Sequence, residues 1–170
     1  AMAGSNVVSG KHEKTVRVWS LETGECVRVL EGHSDLVKSV AIAGSTVVSG
    51  STDKTVRVWS LETGECVRVL EGHSESVNSV AIAGSTVVSG SEDKTVRVWS
   101  LQSGACVAAQ EGQRDPLRSV AIAGSTVVSG RWDKTVRVWS RDTGESVRVL
   151  DGHSVVLSLL SLMDFYLDRV

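Results

Sequence analysis

The feature that most constrains this chain is a seven-residue run that recurs unchanged. Lys-Thr-Val-Arg-Val-Trp-Ser stands at residues 14–20, 54–60, 94–100 and 134–140, so the sequence has a period of 40 residues. A period of this size is typical of proteins built from stacked copies of one small unit. Each run is rich in β-branched and aromatic residues and lies between turn-forming residues, which predicts a short β-strand. No helical pattern separates the runs, so the sequence predicts an all-β array.

Each unit contains four segments of this kind, separated by short turns. In the first complete unit we predict strands over the ranges Leu36–Ala43, Thr46–Ser51, Thr55–Trp59 and Glu65–Leu70. Gly64 lies in the loop before the fourth strand, where it can supply a positive φ. Four antiparallel strands in about 40 residues form the blade of a β-propeller. The predicted fold class is therefore an all-β propeller of four-stranded antiparallel blades, with four blades in the chain.

Two recurring dipeptides resemble the signature of a known family. Gly-His occurs at residues 32–33, 72–73 and 152–153, and each repeated run ends in Trp-Ser. These positions resemble the Gly-His and Trp-Asp signature of WD-repeat propellers, with Trp-Ser in place of Trp-Asp. The resemblance covers Ala3 to His153, and it implies a non-catalytic scaffold that binds proteins or peptides on its loops.

The resemblance also implies a hydrogen-bonded set of His, Ser, Asp and Trp in each blade. Such a set would satisfy partly buried polar groups, each of which would cost about 1–3 kcal/mol if left unpaired. A Ser, His and Asp together could also suggest a hydrolase triad, but repetition in successive units favours a structural role. The implied sets are His33, Ser49, Asp53 and Trp59; His73, Ser89, Asp93 and Trp99; Ser129, Asp133 and Trp139; and His153, Ser9 and Trp19 with Glu13 in place of Asp.

The third unit departs from the pattern in two places. Gln113 replaces the histidine beside Ser129, and residues 108–110 read Ala-Ala-Gln where the other units have Arg-Val-Leu. We predict that this blade is the weakest of the four. Pro116 begins its first strand, where a missing N–H is tolerated.

The repeat is predicted to be circularly split across the termini. Residues 3–163 form four WD-type repeats, in which 5–30 supply the second to fourth strands of one blade and the C-terminal segment supplies its first strand. Residues 164–170 form a tail. A buried strand over 155–161 and a helix from about residue 159 remain alternatives, because a short apolar run does not distinguish them. Ala1 and Met2 are expected to lie outside the repeat.

Composition bears on how many blades close the ring. A four-bladed ring needs a rotation of about 90° between blades and bulky side chains to fill the outer gaps. Only 4% of this chain is aromatic, and its strands carry mainly Val, Ala, Ser and Thr. Small faces favour a gentler rotation, so we predict a homodimer in which two chains exchange strands and close one eight-bladed ring. A four-bladed monomer is the alternative.

The remaining sequence features exclude several classes of function. The net charge is −2 with no basic stripe, which argues against nucleic acid, and no apolar run is long enough to span a membrane. Cys26, Cys66 and Cys106 lack zinc-ligand spacing and are expected to be small buried side chains. Their odd number fits a reducing compartment, so we expect a cytoplasmic protein. No catalytic, cofactor-binding or metal-binding motif appears, and an enzyme is the weakest hypothesis.

A binding scaffold is the preferred hypothesis. Positions that vary between units on a constant frame are the candidates for its binding face, and Trp132 has the composition of an interface anchor. These positions are Lys11, His12, Asp35, Thr52, Glu75, Glu92, Arg114, Arg131 and Trp132. Relaxed surface loops with no ligand are the simpler interpretation. The near-identity of the units also fits blade amplification or deliberate design, with folding and assembly as the only property.

Overall fold

A computed structural model describes residues 1–10, 13–110, 115–131 and 135–150. These residues form sixteen β-strands in four sheets. Each sheet has four strands that follow one another in chain order and pair antiparallel. The predicted fold class, a propeller with four-stranded antiparallel blades and four blades in the chain, is thereby confirmed.

The first and second sheets span the N-terminal half of the chain. The first consists of β1 (Met2–Ala3), β2 (Asn6–Ser9), β3 (Val16–Ser20) and β4 (Cys26–Leu30), and the second of β5 (Val37–Ala43), β6 (Thr46–Ser51), β7 (Val56–Ser60) and β8 (Cys66–Leu70). The strand bounds in the second sheet agree with the predicted ones to within a residue.

The third and fourth sheets repeat the same arrangement. The third consists of β9 (Val77–Ala83), β10 (Thr86–Ser91), β11 (Val96–Ser100) and β12 (Cys106–Gln110), and the fourth of β13 (Leu117–Ala123), β14 (Thr126–Arg131), β15 (Val136–Ser140) and β16 (Ser146–Leu150). The Trp of each third strand follows a register shift against the fourth strand, as between Val58 and Trp59.

The sheets stack face to face with their first strands innermost. β5 packs beside β9, and β9 beside β13. Glycine permits this approach: a Cβ on Gly50 would lie 2.7 Å from Cγ1 of Val77 on the next sheet. The core therefore consists of apolar layers between sheets, such as the one in which Val58 and Leu70 of the second sheet meet Trp99 of the third.

The first sheet contains a strand that the sequence did not predict. Met2 pairs with Val7 and Ala3 with Asn6, which is the register of Ile42 on Val47 in the second sheet. The expectation that Met2 lies outside the repeat was wrong, because these residues continue the repeat as the last part of a first strand. Residues 151–170, on which the predictions about the C-terminal strand and tail depend, lie outside the described residues.

The outer faces of the first and last sheets are exposed. Leu21 after β3 is 54% exposed, whereas its equivalents Leu61 and Leu101 pack against the core layers. Arg148 on β16 is exposed, whereas Arg68 at the same position of β8 is half-buried. In the described part of the chain, the first and last sheets therefore do not pack against each other at Leu21 and Arg148.

The cysteines were expected to be buried, and this was wrong. Cys26 and Cys106 are exposed and Cys66 is half-buried. Each begins the outermost strand of its sheet, which has a neighbouring strand on one side only. Each thiol lies near the backbone carbonyl two residues ahead, as from Cys66 Sγ to Arg68 O at 3.2 Å.

The two departures assigned to one weak unit fall in different sheets. Residues 108–110 belong to β12 of the third sheet, whereas Ser129 and Trp139 belong to the fourth. The attribution of both to one blade was wrong, because the segment that carries the Gly-His motif connects the last strand of one sheet to the first strand of the next. Gln110 is 4% exposed, and its side-chain amide has no hydrogen-bond partner among the described residues.

Gln110→Leu is expected to stabilise the protein by about 1–3 kcal/mol, because it removes a buried amide that lacks a partner. Leu30 and Leu70 occupy the same position in the first two sheets. Thermal or urea unfolding measures the change. The matched variant Leu70→Gln should destabilise by a similar amount, and a destabilising effect of Gln110→Leu would contradict the assignment.

Candidate functional site

The second and third sheets each contain a continuous chain of side-chain hydrogen bonds. In the second, Trp59 Nε1 donates to Ser49 Oγ at 2.8 Å, and Ser49 Oγ lies 2.7 Å from His33 Nε2. His33 Nδ1 lies 2.7 Å from Asp53 Oδ2. The directions are consistent when Ser49 donates to Nε2 and His33 donates from Nδ1, so every member is both oriented and satisfied.

The same geometry recurs one unit later. Trp99 Nε1 donates to Ser89 Oγ at 2.8 Å, and the two nitrogens of His73 lie 2.7 Å from Ser89 Oγ and from Asp93 Oδ2. In the other two sheets the structure describes the Trp-to-Ser bond alone: Trp139 to Ser129 at 2.9 Å and Trp19 to Ser9 at 2.8 Å. Gln113, Asp133 and His153 lie outside the described residues.

The carboxylate at the end of each chain also organises a turn. Asp53 Oδ1 accepts hydrogen bonds from the backbone N–H and the hydroxyl of Thr55, at 3.0 and 2.7 Å. Burial alone would raise the pKa of Asp53, but the hydrogen bonds from Thr55 and His33 outweigh it and hold the pKa below its usual value. The pKa of Asp93 is lowered in the same way. Both groups are carboxylates at neutral pH.

Burial has the opposite consequence for the imidazole. It lowers the pKa of His33, and the hydrogen bond to Asp53 opposes this effect without cancelling it. His33 is therefore neutral at pH 7, as the hydrogen-bond directions require. Ser49 is 0% exposed and already accepts from Trp59. The hydroxyl is therefore buried, and its hydrogen bonds join β6 and β7 to the loop that carries His33.

The glycines before His33 and His73 have a backbone conformation that other residues rarely adopt. Gly72 has a φ of 141°, and a Cβ there would lie 2.8 Å from Arg97 Nη1. The Arg97 guanidinium in turn lies 5.9 Å from the centre of the Trp99 ring, within the range of a cation–π contact. The Gly-His pair thus fits between an arginine and the tryptophan of the same sheet.

The structure brings the variable loop positions together in pairs at one end of the second and third sheets. Ser51 donates to Asp35 O at 3.1 Å and Thr52 N to Leu36 O at 2.9 Å, which places Asp35 beside Thr52. Glu75 and Glu92 are placed together in the same way in the third sheet.

One residue links two of these pairs. Lys54 Nζ donates to Ser74 O at 2.7 Å and lies 3.7 Å from Glu75 Oε1, so the loops of adjacent sheets share one face. Lys54 is not among the predicted positions of this face. A lysine stands at the same place in every unit, so nothing in the sequence indicates that its side chain bridges two sheets.

Arg131 differs from the other positions of the proposed face. Its side chain is buried at 3% exposure and lies 3.9 Å from the Asp115 carboxylate. It occupies the position of the buried Ser51 and Ser91, which explains why it faces inward. Lys11, His12, Arg114 and Trp132 lie outside the described residues.

The family comparison bears directly on this repeating site. The sequence model described as "WD domain, G-beta repeat" matches residues 24–60, 64–100 and 104–140, which together are more than half of the chain. The chain belongs to the WD40 repeat family. The matched segments contain Ser49, Asp53 and Trp59, and their equivalents Ser89, Asp93 and Trp99.

Curated WD40 relatives match over about one repeat. The chain is 41% identical over 39 residues to the nuclear distribution protein PAC1 of Coccidioides posadasii, which covers 23% of this chain and 8% of that protein. It is 44% identical over 39 residues to the WD repeat-containing protein pop1 of Schizosaccharomyces pombe, covering 23% of this chain and 5% of that protein. The chain therefore spans less than a tenth of the length of these relatives.

One solved structure resembles almost the whole chain. It is the crystal structure of the computationally designed Ika8 protein, with a TM-score of 0.85 and 35% sequence identity. The likeness covers 94% of this chain and 50% of that chain. The four WD40 blades thus correspond to half of a chain that is nearly twice as long.

Within the described ranges, no three His, Cys, Asp or Glu side chains converge as metal ligands would. The described ranges also contain no helix with the length and hydropathy of a membrane span.

His33→Gln is expected to lower the free energy of unfolding by about 1–3 kcal/mol, because it breaks a satisfied buried network.

The pH dependence gives a more specific test. As the pH falls, a histidine whose pKa is lowered by folding takes up its proton in the unfolded state first. The free energy of unfolding is therefore highest above the unfolded-state pKa of His33 and decreases as the pH falls through its folded-state pKa. Urea midpoints between pH 7.5 and about 5 measure this loss.

The variant should show a shallower loss than the native chain over that range. The exposed substitution Lys38→Gln is the control and should leave the slope unchanged. Equal slopes in the native chain and in His33→Gln would contradict the assignment of a buried, neutral His33.

Proposed function

We propose that this chain is a non-enzymatic, self-assembling WD40 scaffold, in which two copies close one eight-bladed ring and present its loops to a protein or peptide. Proteins built from WD40 repeats generally act as non-catalytic interaction scaffolds, which supports the general class. We infer this assembly from one observation. The exposed outer faces of the first and last sheets match the contacts that adjacent sheets make inside the chain.

Adjacent sheets of the chain meet at what we call internal junctions. At each of the first two junctions, an arginine of the outermost strand of one sheet binds a turn of the next sheet. Arg28 donates to Glu62 O at 2.9 Å and to Thr63 O at 2.8 Å on the following sheet. Arg68 likewise donates to Gln102 O at 2.7 Å. A guanidinium presents several donors in a fixed fork, so it fits a turn with outward carbonyls.

The last sheet carries the donor half of such a junction and the first sheet carries the acceptor half. Arg148 on β16 is exposed and has no hydrogen bond to any described residue. The turn at Glu22 and Thr23 is exposed, and Leu21 beside it is 54% exposed. A second copy placed head to tail would pair Arg148 with this turn and cover Leu21, at two equivalent junctions.

The split blade supports the same closure. A cavity of about 400 Å³ beside the first sheet is lined by Ser9, Glu13 and Trp19, which correspond to Ser49, Asp53 and Trp59 around the His33 ring. We propose that the Gly-His motif at residues 152–153 reaches this cavity of the partner copy and brings the missing part of a first strand with it. The four blades of this chain resemble half of the longer Ika8 chain. This likeness supports the smaller rotation between blades of an eight-bladed ring over the larger rotation of a four-bladed ring.

The expected solution mass is twice 18.1 kDa, or 36.2 kDa, by light scattering on a size-exclusion column. Arg148→Glu should weaken the association about tenfold or more at each junction, since it replaces charge-assisted hydrogen bonds by repulsion from carbonyl oxygens. The mass should then fall toward one chain at micromolar concentration.

Glu145→Gln, an exposed change near the start of the same strand, is the control and should leave the mass unchanged. A folded native chain of 18.1 kDa at all concentrations would contradict the proposal and favour a four-bladed monomer.

For the ligand, we propose the face formed by the loops at Asp35, Thr52, Glu75 and Glu92, together with Trp132. The pairwise placement of these loops at one end of the sheets supports a common surface. Binding to a peptide array by the intact protein should be lost in Trp132→Ala, with the exposed change Glu65→Gln on the opposite end of the sheets as the control.

A second candidate function is assembly alone, in an amplified or designed repeat chain without an evolved ligand. The likeness to a computationally designed protein favours this alternative. Binding to no peptide of the array, with a dimeric mass, would support it over the scaffold.

A further inference from the structure

The third internal junction lacks the arginine that holds the first two. Ala108 stands in β12 where Arg28 and Arg68 stand in β4 and β8. The facing turn of the fourth sheet is retained, with Gly144 at a φ of 71° against 74° for Gly104. A Cβ on Gly104 would lie 3.1 Å from Arg68 Nη1, whereas the nearest atom to one on Gly144 is Ala108 Cβ at 3.7 Å.

A second substitution enlarges the space at the same place. Leu101 packs against the core layer between the second and third sheets, but its equivalent in the fourth sheet is Arg141. Arg141 does not fill the apolar position, because its Nη1 donates to Gly124 O of its own sheet and its Nε pairs with the Asp142 carboxylate at 3.0 Å. A groove of about 300 Å³ results, lined by Thr86, Val98, Ser100 and Val107 on one side and by Arg141 and Asp142 on the other.

The acceptors of the missing guanidinium remain available at this groove. At the second junction Arg68 donates to the carbonyls of Leu101, Gln102 and Ser103, at 3.0, 2.7 and 3.4 Å. The corresponding carbonyls of residues 141–143 accept no hydrogen bond from any described residue. Three carbonyl oxygens on one turn match the fork of a guanidinium better than the single point of an ammonium.

We propose that this groove, which we call the third-junction groove, binds an arginine side chain of a partner peptide. The guanidinium would donate to the carbonyls of residues 141–143, and its methylene stem would lie along Val107, which is 61% exposed. The two nearest charges, Arg141 and Asp142, are paired with each other and leave the turn carbonyls to the ligand. This proposal rests on the proposed scaffold function in one respect, because it takes the bound arginine to belong to a partner peptide.

Ala108→Arg should fill the groove from within, because it restores the residue that occupies the same position at two junctions. The probe is Nα-acetyl-arginine N-methylamide, added to the intact protein while the amide resonances of residues 141–144 are followed by NMR. We expect saturable shifts at these residues in the native chain with a millimolar dissociation constant, and none in Ala108→Arg. The citrulline analogue, which keeps the shape but loses the charge, should bind at least tenfold more weakly.

Arg68→Ala supplies an independent measurement. It should create a second site, so that the same probe also shifts the amides of residues 101–104. Shifts that persist in Ala108→Arg, equal binding of the citrulline analogue, or no saturable shift up to about 20 mM would each overturn the proposal. If Ala108→Arg does not fold, new shifts at residues 101–104 in Arg68→Ala support the proposal, and their absence overturns it. The groove lies within one chain, so this result is independent of the solution mass that tests the ring.

Discussion

Packing of one sheet against the next is the interaction on which this structure depends. A four-stranded sheet of this composition has apolar side chains on both faces, and neither face is covered until a neighbouring sheet covers it. Gly50 and Val77 show how closely this occurs, since even one added carbon would overlap the next sheet. The interior sheets are satisfied by this stacking. Among the described residues, the outer faces of the two end sheets stay exposed, and this exposure is the basis for proposing a second copy.

The buried hydrogen-bond chains act on a different part of each blade. His33 joins a hydroxyl on one strand to a carboxylate at the turn before another, and the loop that carries it enters from the preceding sheet. This network fixes the position of loops that would otherwise be free. A Ser, His and Asp lie within hydrogen-bond distance here, but Ser49 is 0% exposed and its hydroxyl already accepts a hydrogen bond from Trp59.

Much of this arrangement was predictable from the sequence because it repeats. A 40-residue period with alternating turns and strands leaves few alternatives, and the strand bounds of the second sheet followed to within a residue. Predictions failed where position along a strand, rather than residue type, determines burial. Cys26 and Cys106 are apolar enough for a core but begin an outermost strand, and Arg131 is charged but takes the place of a buried serine. The third-junction groove was missed because it requires knowing that Ala108 faces residues 141–144 across two sheets, which sequence spacing does not reveal.

Amide hydrogen exchange of the turn at residues 21–24 tests whether a second copy covers the end faces. The equivalent turn at residues 61–64 accepts two hydrogen bonds from Arg28 inside the chain and serves as the internal reference. If two copies close one ring, the protection of residues 21–24 approaches that of residues 61–64 at high protein concentration and is lost on dilution. Protection that is low at every concentration, or that is high and independent of concentration, would contradict it.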